Sequence, residues 1–253
     1  MITLAQKMVL AAVVAKSWKQ QRLIGHIHIA KTGGTTLNGL MANQYHGVCG
    51  HKGYSFDFYQ ANQRSRNHPG EIKDSIGKVF PGYDRTRVPW KIMLERGFET
   101  CLWISLESAM TVWHHFDTWH MPLELHLPCR DPIDHFMSQV NFRGIKLDCT
   151  AFKPQHADKY LVGMNRFQSA HIPANATVRC IHFRKQFSDY AARVNLPPKS
   201  VFRPLRELKT NRPRIKPNEC IWKNESLKVA LAAHLIANYD YYNFCNACTD
   251  WVV

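Results

Sequence analysis

The chain has 253 residues, 45% hydrophobic and 21% charged, which excludes a disordered or fibrous protein and suits one substantial α/β domain. Its 33 Lys and Arg against 19 Asp and Glu leave a formal charge of +14, so the surface attracts polyanions: nucleic acid, anionic lipid, sulfated glycan or a nucleotide. A basic surface that serves only solubility accounts for the same number.

In chain order, residues 1–20 read as an N-terminal helix. Its apolar run from Met8 to Ala15, between Lys7 and Lys16, is too short for a membrane span of about 20 residues. It also lacks the basic cluster that opens a signal peptide. Residues 23–30 read as a buried strand, 34–44 as a helix and 45–51 as a short strand ending at Gly50-His51. The polar stretch 60–100, punctuated by Asn67, Pro69, Gly70, Pro81 and Gly82, reads as a surface excursion. Leu102 to Leu106 is a strand, followed by a helical stretch through Trp113 and Phe116. Leu123 to Pro128 is another strand, and Asp131-Pro132 after it has the cap and first-turn proline of a helix start. Thr177 to Phe183 is a further strand. Residues 203–217 hold six Arg or Lys broken by prolines, a basic loop, and 225–244 form one closing helix. Strands alternating with helices predict a single domain, 1–253, with a mostly parallel sheet covered on both faces.

The eight cysteines lack the density of a stapled secreted domain. Cys129 sits within an apolar run and reads as a buried thiol. Cys245-Asn246-Ala247-Cys248 has the spacing of half a zinc knuckle or of a redox pair, but no second Cys or His pair completes a metal site, and no metal is expected. Sequons at Asn175 and Asn224 carry weight only in a secretory protein.

The chemistry concentrates in Gly25-His26-Ile27-His28-Ile29-Ala30-Lys31-Thr32-Gly33-Gly34-Thr35-Thr36-Leu37. A strand that breaks at a glycine pair and re-forms as a helix leaves backbone N–H groups aimed into the gap. With the helix dipole and a lysine they make a seat for phosphate or sulfate. The lysine precedes the glycines, so this is not a Walker A loop. About 100 residues on, Arg130 stands at a strand end with Ser138 two helical turns beyond it; on its own Arg130-Asp131-Pro132 reads as a helix cap with a surface Arg, although a planar fork and a hydroxyl would also suit a phosphate.

The order Lys-Thr-Gly-Gly-Thr-Thr after an apolar strand resembles the 5′-phosphosulfate loop of the sulfotransferases, closest to the carbohydrate branch that includes heparan sulfate 2-O-sulfotransferase. The resemblance covers Gly25–Leu37, Gly50–His51 and Arg130–Ser138, and no motif in the stretch 52–120 adds to it. It implies a three-layer α/β/α sandwich with a P-loop-like turn, and 3′-phosphoadenosine 5′-phosphosulfate (PAPS) as donor. The resemblance gives the 5′ end of the donor to Lys31, Thr32, Gly33, Gly34, Thr35 and Thr36, and the 3′-phosphate to Arg130 and Ser138. His51 becomes the base that deprotonates an acceptor hydroxyl, with His46 in reserve and Glu107 or His114 further candidates. In the resembling enzymes the segment before the final helix closes over the nucleotide, which implies that one or two residues of 203–217 touch the donor, the rest being solvated charge or a track for a polyanionic acceptor. The acceptor expected is a glycan, with a small alcohol or phenol as the alternative, and Trp103, Trp113 and Trp119 either stack on sugar or fill the core. The family's stem and membrane anchor have no counterpart here, which favours the cytoplasm over a secretory or Golgi lumen. No specific nucleic acid partner and no membrane span are expected. Two other classes stay open: a P-loop kinase or NTPase that needs Mg²⁺, and a non-catalytic polyanion-binding protein.

Overall fold

The structure is a computed structural model and describes residues 22–45, 47–49, 101–107, 109–116, 122–148, 150–161, 163–183, 187–198, 221 and 223–252. The expected N-terminal helix, the excursion 60–100, Gly50-His51 and the basic loop 203–217 lie outside these residues.

The sheet is built from β1 (Leu23–Ile27), β2 (Val48–Cys49), β3 (Trp103–Leu106), β4 (Leu123–Cys129) and β5 (Ala176–His182). They lie in the order β2-β3-β1-β4-β5, and every pairing is parallel. The expected parallel α/β sheet is therefore present. Parallel strands are covered on both faces, and β1, β3 and β4 are buried along their whole lengths. Five α-helices accompany them among the described residues: α1 (Gly34–Gln44), α2 (Pro132–Phe142), α3 (Phe187–Val194), α4 (Glu225–Asn238) and α5 (Asp240–Ala247). Side chains alternate across a strand, so β1 feeds two cores. Leu23 and Ile27 join Ile133, Phe136 and Val140 of α2, Leu231 and Leu235 of α4, and Tyr241 and Tyr242 of α5. Ile24 joins Leu37 and Met41 of α1 with Tyr190, Ala191 and Val194 of α3. Trp103 and Trp113 are both buried in these cores rather than presented to a ligand.

The α1 side of the sheet also carries polar groups, and each finds a partner. Register sets Ser105, His26, His126 and Arg179 in one row across four strands. His26 Nδ1 lies 2.8 Å from the Ser105 hydroxyl. Trp103 Nε1 donates to the Tyr190 hydroxyl at 2.9 Å, and that hydroxyl lies 2.7 Å from His126 Nδ1. His126 Nε2 meets Glu124 Oε1 at 2.7 Å, and Glu124 is held by Arg22 at 2.8 Å and Arg179 at 3.2 Å. Burial lowers the pKa of His126 and outweighs its carboxylate partner, so the ring is neutral and donates from Nε2. Burial alone would raise the Glu124 pKa, but His126 and the two guanidinium groups together hold it below its ordinary value. A buried charge is tolerated on such terms.

Three local expectations change. β1 ends at Ile27 rather than residue 30, because Ile29 N–H bonds locally to Ile27 O at 3.1 Å and Thr32 N–H to Ile29 O at 3.3 Å, and both leave the ladder. The stretch through Trp113 and Phe116 is a 3-10 helix, Met110–Phe116. The closing helix 225–244 is two helices, broken at an extended Tyr239. There the Tyr239 hydroxyl donates to Asp158 at 2.8 Å and the Asp240 carboxylate accepts from Ser169, which redirects the chain and carries Tyr241 and Tyr242 into the core.

The cysteine reading also changes. Cys129 is buried but bridged, to Cys245, and Cys180 is bridged to Cys248. The CxxC is neither a zinc half-site nor a redox couple, since its two sulfurs bond to the adjacent strands β4 and β5. No helix among the described residues is long and apolar enough to cross a membrane.

Candidate functional site

The chain leaves β1 toward β2 and β3 on one side, and leaves β4 toward β5 on the other. Adjacent parallel strands whose connections diverge leave a crevice beyond their carboxyl ends, where open α/β sheets receive ligands. The two segments at that crevice are Ile29–Gly34 and Arg130–Asp131.

The first segment is a tight turn. Lys31 (φ 69°) and Gly33 (φ 77°) both have left-handed backbones. Gly33 is the N-cap of α1 and offers no side-chain cap. The first-turn N–H groups of Gly34, Thr35 and Thr36 therefore have no acceptor within the helix, since the first intrahelical bond is Leu37 N–H to Gly33 O at 3.0 Å. Thr32 is different from its neighbours. It is fully buried, and both its hydroxyl (2.7 Å) and its N–H (3.3 Å) donate to Ile29 O, so it ties the turn together from inside.

Beneath the turn lies His28, a residue that the sequence reading passed over. A Cβ on Gly34 would stand 2.1 Å from the His28 ring, so the second glycine is required by close approach. His28 Nδ1 faces Glu107 Oε2 at 3.8 Å, and Glu107 also meets Arg166 at 3.4 Å. Glu107, a further candidate for the base after His51 and His46, is an ion-pair partner just past the end of β3. The alternation His26-Ile27-His28 was the available signal, because it puts both rings on one face. They stack at 5.8 Å.

The second segment begins at Arg130, whose Nη1 donates to Lys31 O at 2.6 Å. Two residues separated by 99 positions in sequence are thus brought together at the crevice. Arg130 also stacks on Phe183 at 4.3 Å, and Lys31 Nζ sits 4.2 Å over the Phe142 ring. Burial first, and then the Arg130 guanidinium, lower the pKa of Lys31. Asp131 caps α2 by accepting from Asp134 N–H at 2.8 Å, with Pro132 in the first turn, as predicted. Ser138 lies partly buried in the middle of α2.

A set of buried groups fixes the two segments to each other. His135 on α2 lies 2.7 Å from Ala30 O through Nε2, and Gln139 donates to the same carbonyl at 3.3 Å. Burial pushes the His135 pKa down to about 3, so the ring is neutral. Nε2 then donates to Ala30, and Nδ1 accepts from the Tyr242 hydroxyl at 3.1 Å. The Tyr241 hydroxyl donates to Pro128 O at 2.7 Å and accepts from Arg130 N–H at 3.1 Å. The Cys129–Cys245 bridge closes the same contact covalently. A cleft of about 230 Å³ opens beside Arg130, walled by Tyr242, Cys245 and the stacked His182–Trp251 pair at 3.7 Å.

His46 and His51 lie outside the described residues. His114 is exposed. Thr35 and Thr36 lie in the first turn of α1. Among the described residues no cluster of His, Cys, Asp and Glu suits a metal ion. No family model, curated protein or solved structure matches the chain.

Proposed function

We propose that this chain is a PAPS-dependent sulfotransferase that moves a sulfuryl group to an acceptor hydroxyl, on a carbohydrate before any small alcohol or phenol. One observation carries the proposal: Lys31 and Arg130, from distant parts of the chain, converge at the switch point of a parallel sheet, where burial first and the repulsion of the Arg130 guanidinium second disfavour the Lys31 charge. An anion between them offsets that repulsion, and the open first turn of α1 offers it three further donors. The resemblance of Lys31–Thr36 and Arg130–Ser138 to the donor motifs of the sulfotransferases narrows the anion to PAPS. On this reading the helices of the two cores are the outer layers of an α/β/α sandwich, and the turn is its P-loop-like cradle.

The donor supplies an activated sulfuryl group whose leaving group is a phosphate. In-line transfer moves charge onto the leaving oxygen, as in phosphoryl transfer. Lys31 and the N–H groups of Gly34, Thr35 and Thr36 lie where that charge grows. Thr32 holds the turn's shape instead of donating. Arg130, whose Nη1 donates to Lys31 O, brings a planar guanidinium of the kind that suits a 3′-phosphate to the crevice, with Ser138 adding a hydroxyl. His51 accepts the acceptor's proton. No step requires a metal, since Lys31 and the backbone donors supply the positive field.

The test is a thermal-shift comparison of 3′-phosphoadenosine 5′-phosphate with ATP–Mg²⁺. At about 100 times its Kd the first ligand stabilises by about 2.7 kcal/mol, which raises the Tm of a chain this long by about 5–10 °C. ATP–Mg²⁺ leaves it near the unliganded value. An equal response to ATP–Mg²⁺ favours the kinase or NTPase class, and no response to either overturns the nucleotide reading.

A further inference from the structure

Two features stand outside the proposed chemistry: the disulfides and the sequons. Cys129–Cys245 and Cys180–Cys248 span 116 and 68 residues, Cys101 is disulfide-bonded as well, and no described cysteine is free. Long-range structural bridges of this kind form and persist in oxidising compartments and are rare in the reducing cytosol. They weigh against the cytoplasm that the sequence favours. In an oxidising secretory lumen, Asn-x-Ser/Thr becomes an acceptor for N-linked glycan.

The two sequons differ in their surroundings. Asn175 Nδ2, the atom that glycosylation substitutes, donates to Phe116 O at 3.5 Å, at the end of the 3-10 helix that carries core residues Trp113 and Phe116. Thr177 of the same sequon lies in β5, in register with Glu124. Asn224 has neither constraint. Asn175 and Thr177 are exposed, as are Asn224, Glu225 and Ser226, so the sequons differ in bonding and backbone pairing and not in exposure. Asn224 is the N-cap of α4 and uses its oxygen, accepting from Leu227 N–H at 3.0 Å. A glycan on Nδ2 leaves that oxygen, and therefore the cap, intact. Twelve residues of helix separate Asn224 from Ile236 at the cleft, about 18 Å along the axis at 1.5 Å per residue. The modification thus stands clear of the candidate site.

We infer that Asn224 carries an N-linked glycan and that the chain matures in an oxidising secretory compartment. In the transfer, Asn224 Nδ2 forms a bond to the anomeric carbon of an oligosaccharide carried on a lipid diphosphate. The sugar–phosphate bond breaks, the amide loses one proton and the lipid diphosphate leaves. The experiment uses full-length chain immunoprecipitated from the cells that make it. Peptide-N-glycosidase should shift its denatured mobility, and peptide mapping should find Asp at position 224 after treatment. Asn224→Asp, which keeps an N-cap acceptor but removes the sequon, should run at the deglycosylated position without treatment. Alkylation before reduction should leave Cys129, Cys180, Cys245 and Cys248 unlabelled. No glycosidase shift, conversion confined to Asn175, or free thiols at those four positions overturns the inference.

Discussion

Acidification from pH 7 to pH 5 tests the neutral His135 that ties the turn to α5. Its ordinary pKa is 6.5 and burial lowers it to about 3 in the fold. Above 6.5 the ring is neutral whether folded or unfolded, and its contribution to stability is complete. Between 6.5 and 3 the unfolded chain binds a proton that the folded chain refuses, so stability falls as pH falls. Linkage between those two values gives a loss of about 2 kcal/mol from pH 7 to pH 5. For a chain of this length that is a fall in Tm of about 4–8 °C. His126 is displaced in the same direction and carboxylates add their own terms, so the informative quantity is a difference. Urea unfolding at pH 5, 6, 7 and 8 is compared between wild type and His135→Gln, which retains a side-chain donor for Ala30 O. The variant is less stable at pH 7, because Tyr242 loses its Nδ1 acceptor, but its stability falls by about 2 kcal/mol less on acidification. Equal pH slopes in the two proteins refute the assignment of a neutral, buried His135.

Lys31→Ala should nearly abolish sulfuryl transfer from PAPS while shifting the Tm by only a few degrees, measured by a radiolabelled-sulfate assay with a panel of glycan acceptors. Arg130→Ala should chiefly raise the KM for PAPS, and Arg130→Lys should rescue it poorly, because a point charge does not reproduce the fork that holds Lys31 O and a phosphate together. Gly34→Ala forces a methyl group to within 2.1 Å of the His28 ring, a cost of about 1–3 kcal/mol, and a thermal melt unchanged within error would contradict that packing. Tyr241→Phe strands Pro128 O and Arg130 N–H together; the expected loss of about 1–3 kcal/mol is read from denaturant midpoints, and should be accompanied by weaker binding of 3′-phosphoadenosine 5′-phosphate.

Near-neighbour information made much of this fold legible. The span of α1, 34–44, follows from a glycine pair set before helix-forming residues. The start of α2 follows from Asp131-Pro132, and the central strands from short apolar runs between turn residues. Each of those signals lies within about five residues of the feature it specifies. The break at Tyr239 was not legible, because the apolar period continues through it. What interrupts the helix is Asp158 and Ser169, which meet Tyr239 and Asp240 from about 70 to 80 residues away. Cysteine pairing was hidden for a related reason. Eight cysteines allow 105 complete pairings, and only the parallel placement of β4 beside β5 brings Cys129 and Cys180 under one CxxC.

The same distinction explains why the two halves of the candidate site differ in definition. Lys31, Gly33 and Gly34 enter the candidate site from one continuous turn, so their order in sequence already constrains their geometry. Arg130 joins them only because β4 lies directly beside β1, and that adjacency depends on the whole sheet. Once the strands are in place, its side chain reaches Lys31 O, His135 reaches Ala30 O from the following helix, and Tyr241 and Tyr242 complete the contact from the end of the chain. The turn therefore has supports of three kinds: local backbone, neighbouring strand and the covalently anchored α5. A loss of anion binding on reducing the Cys129–Cys245 bridge, with Lys31 and Arg130 untouched, follows from that order of assembly: a rigid anion seat depends on the C-terminal helix as much as on the glycines that first mark it.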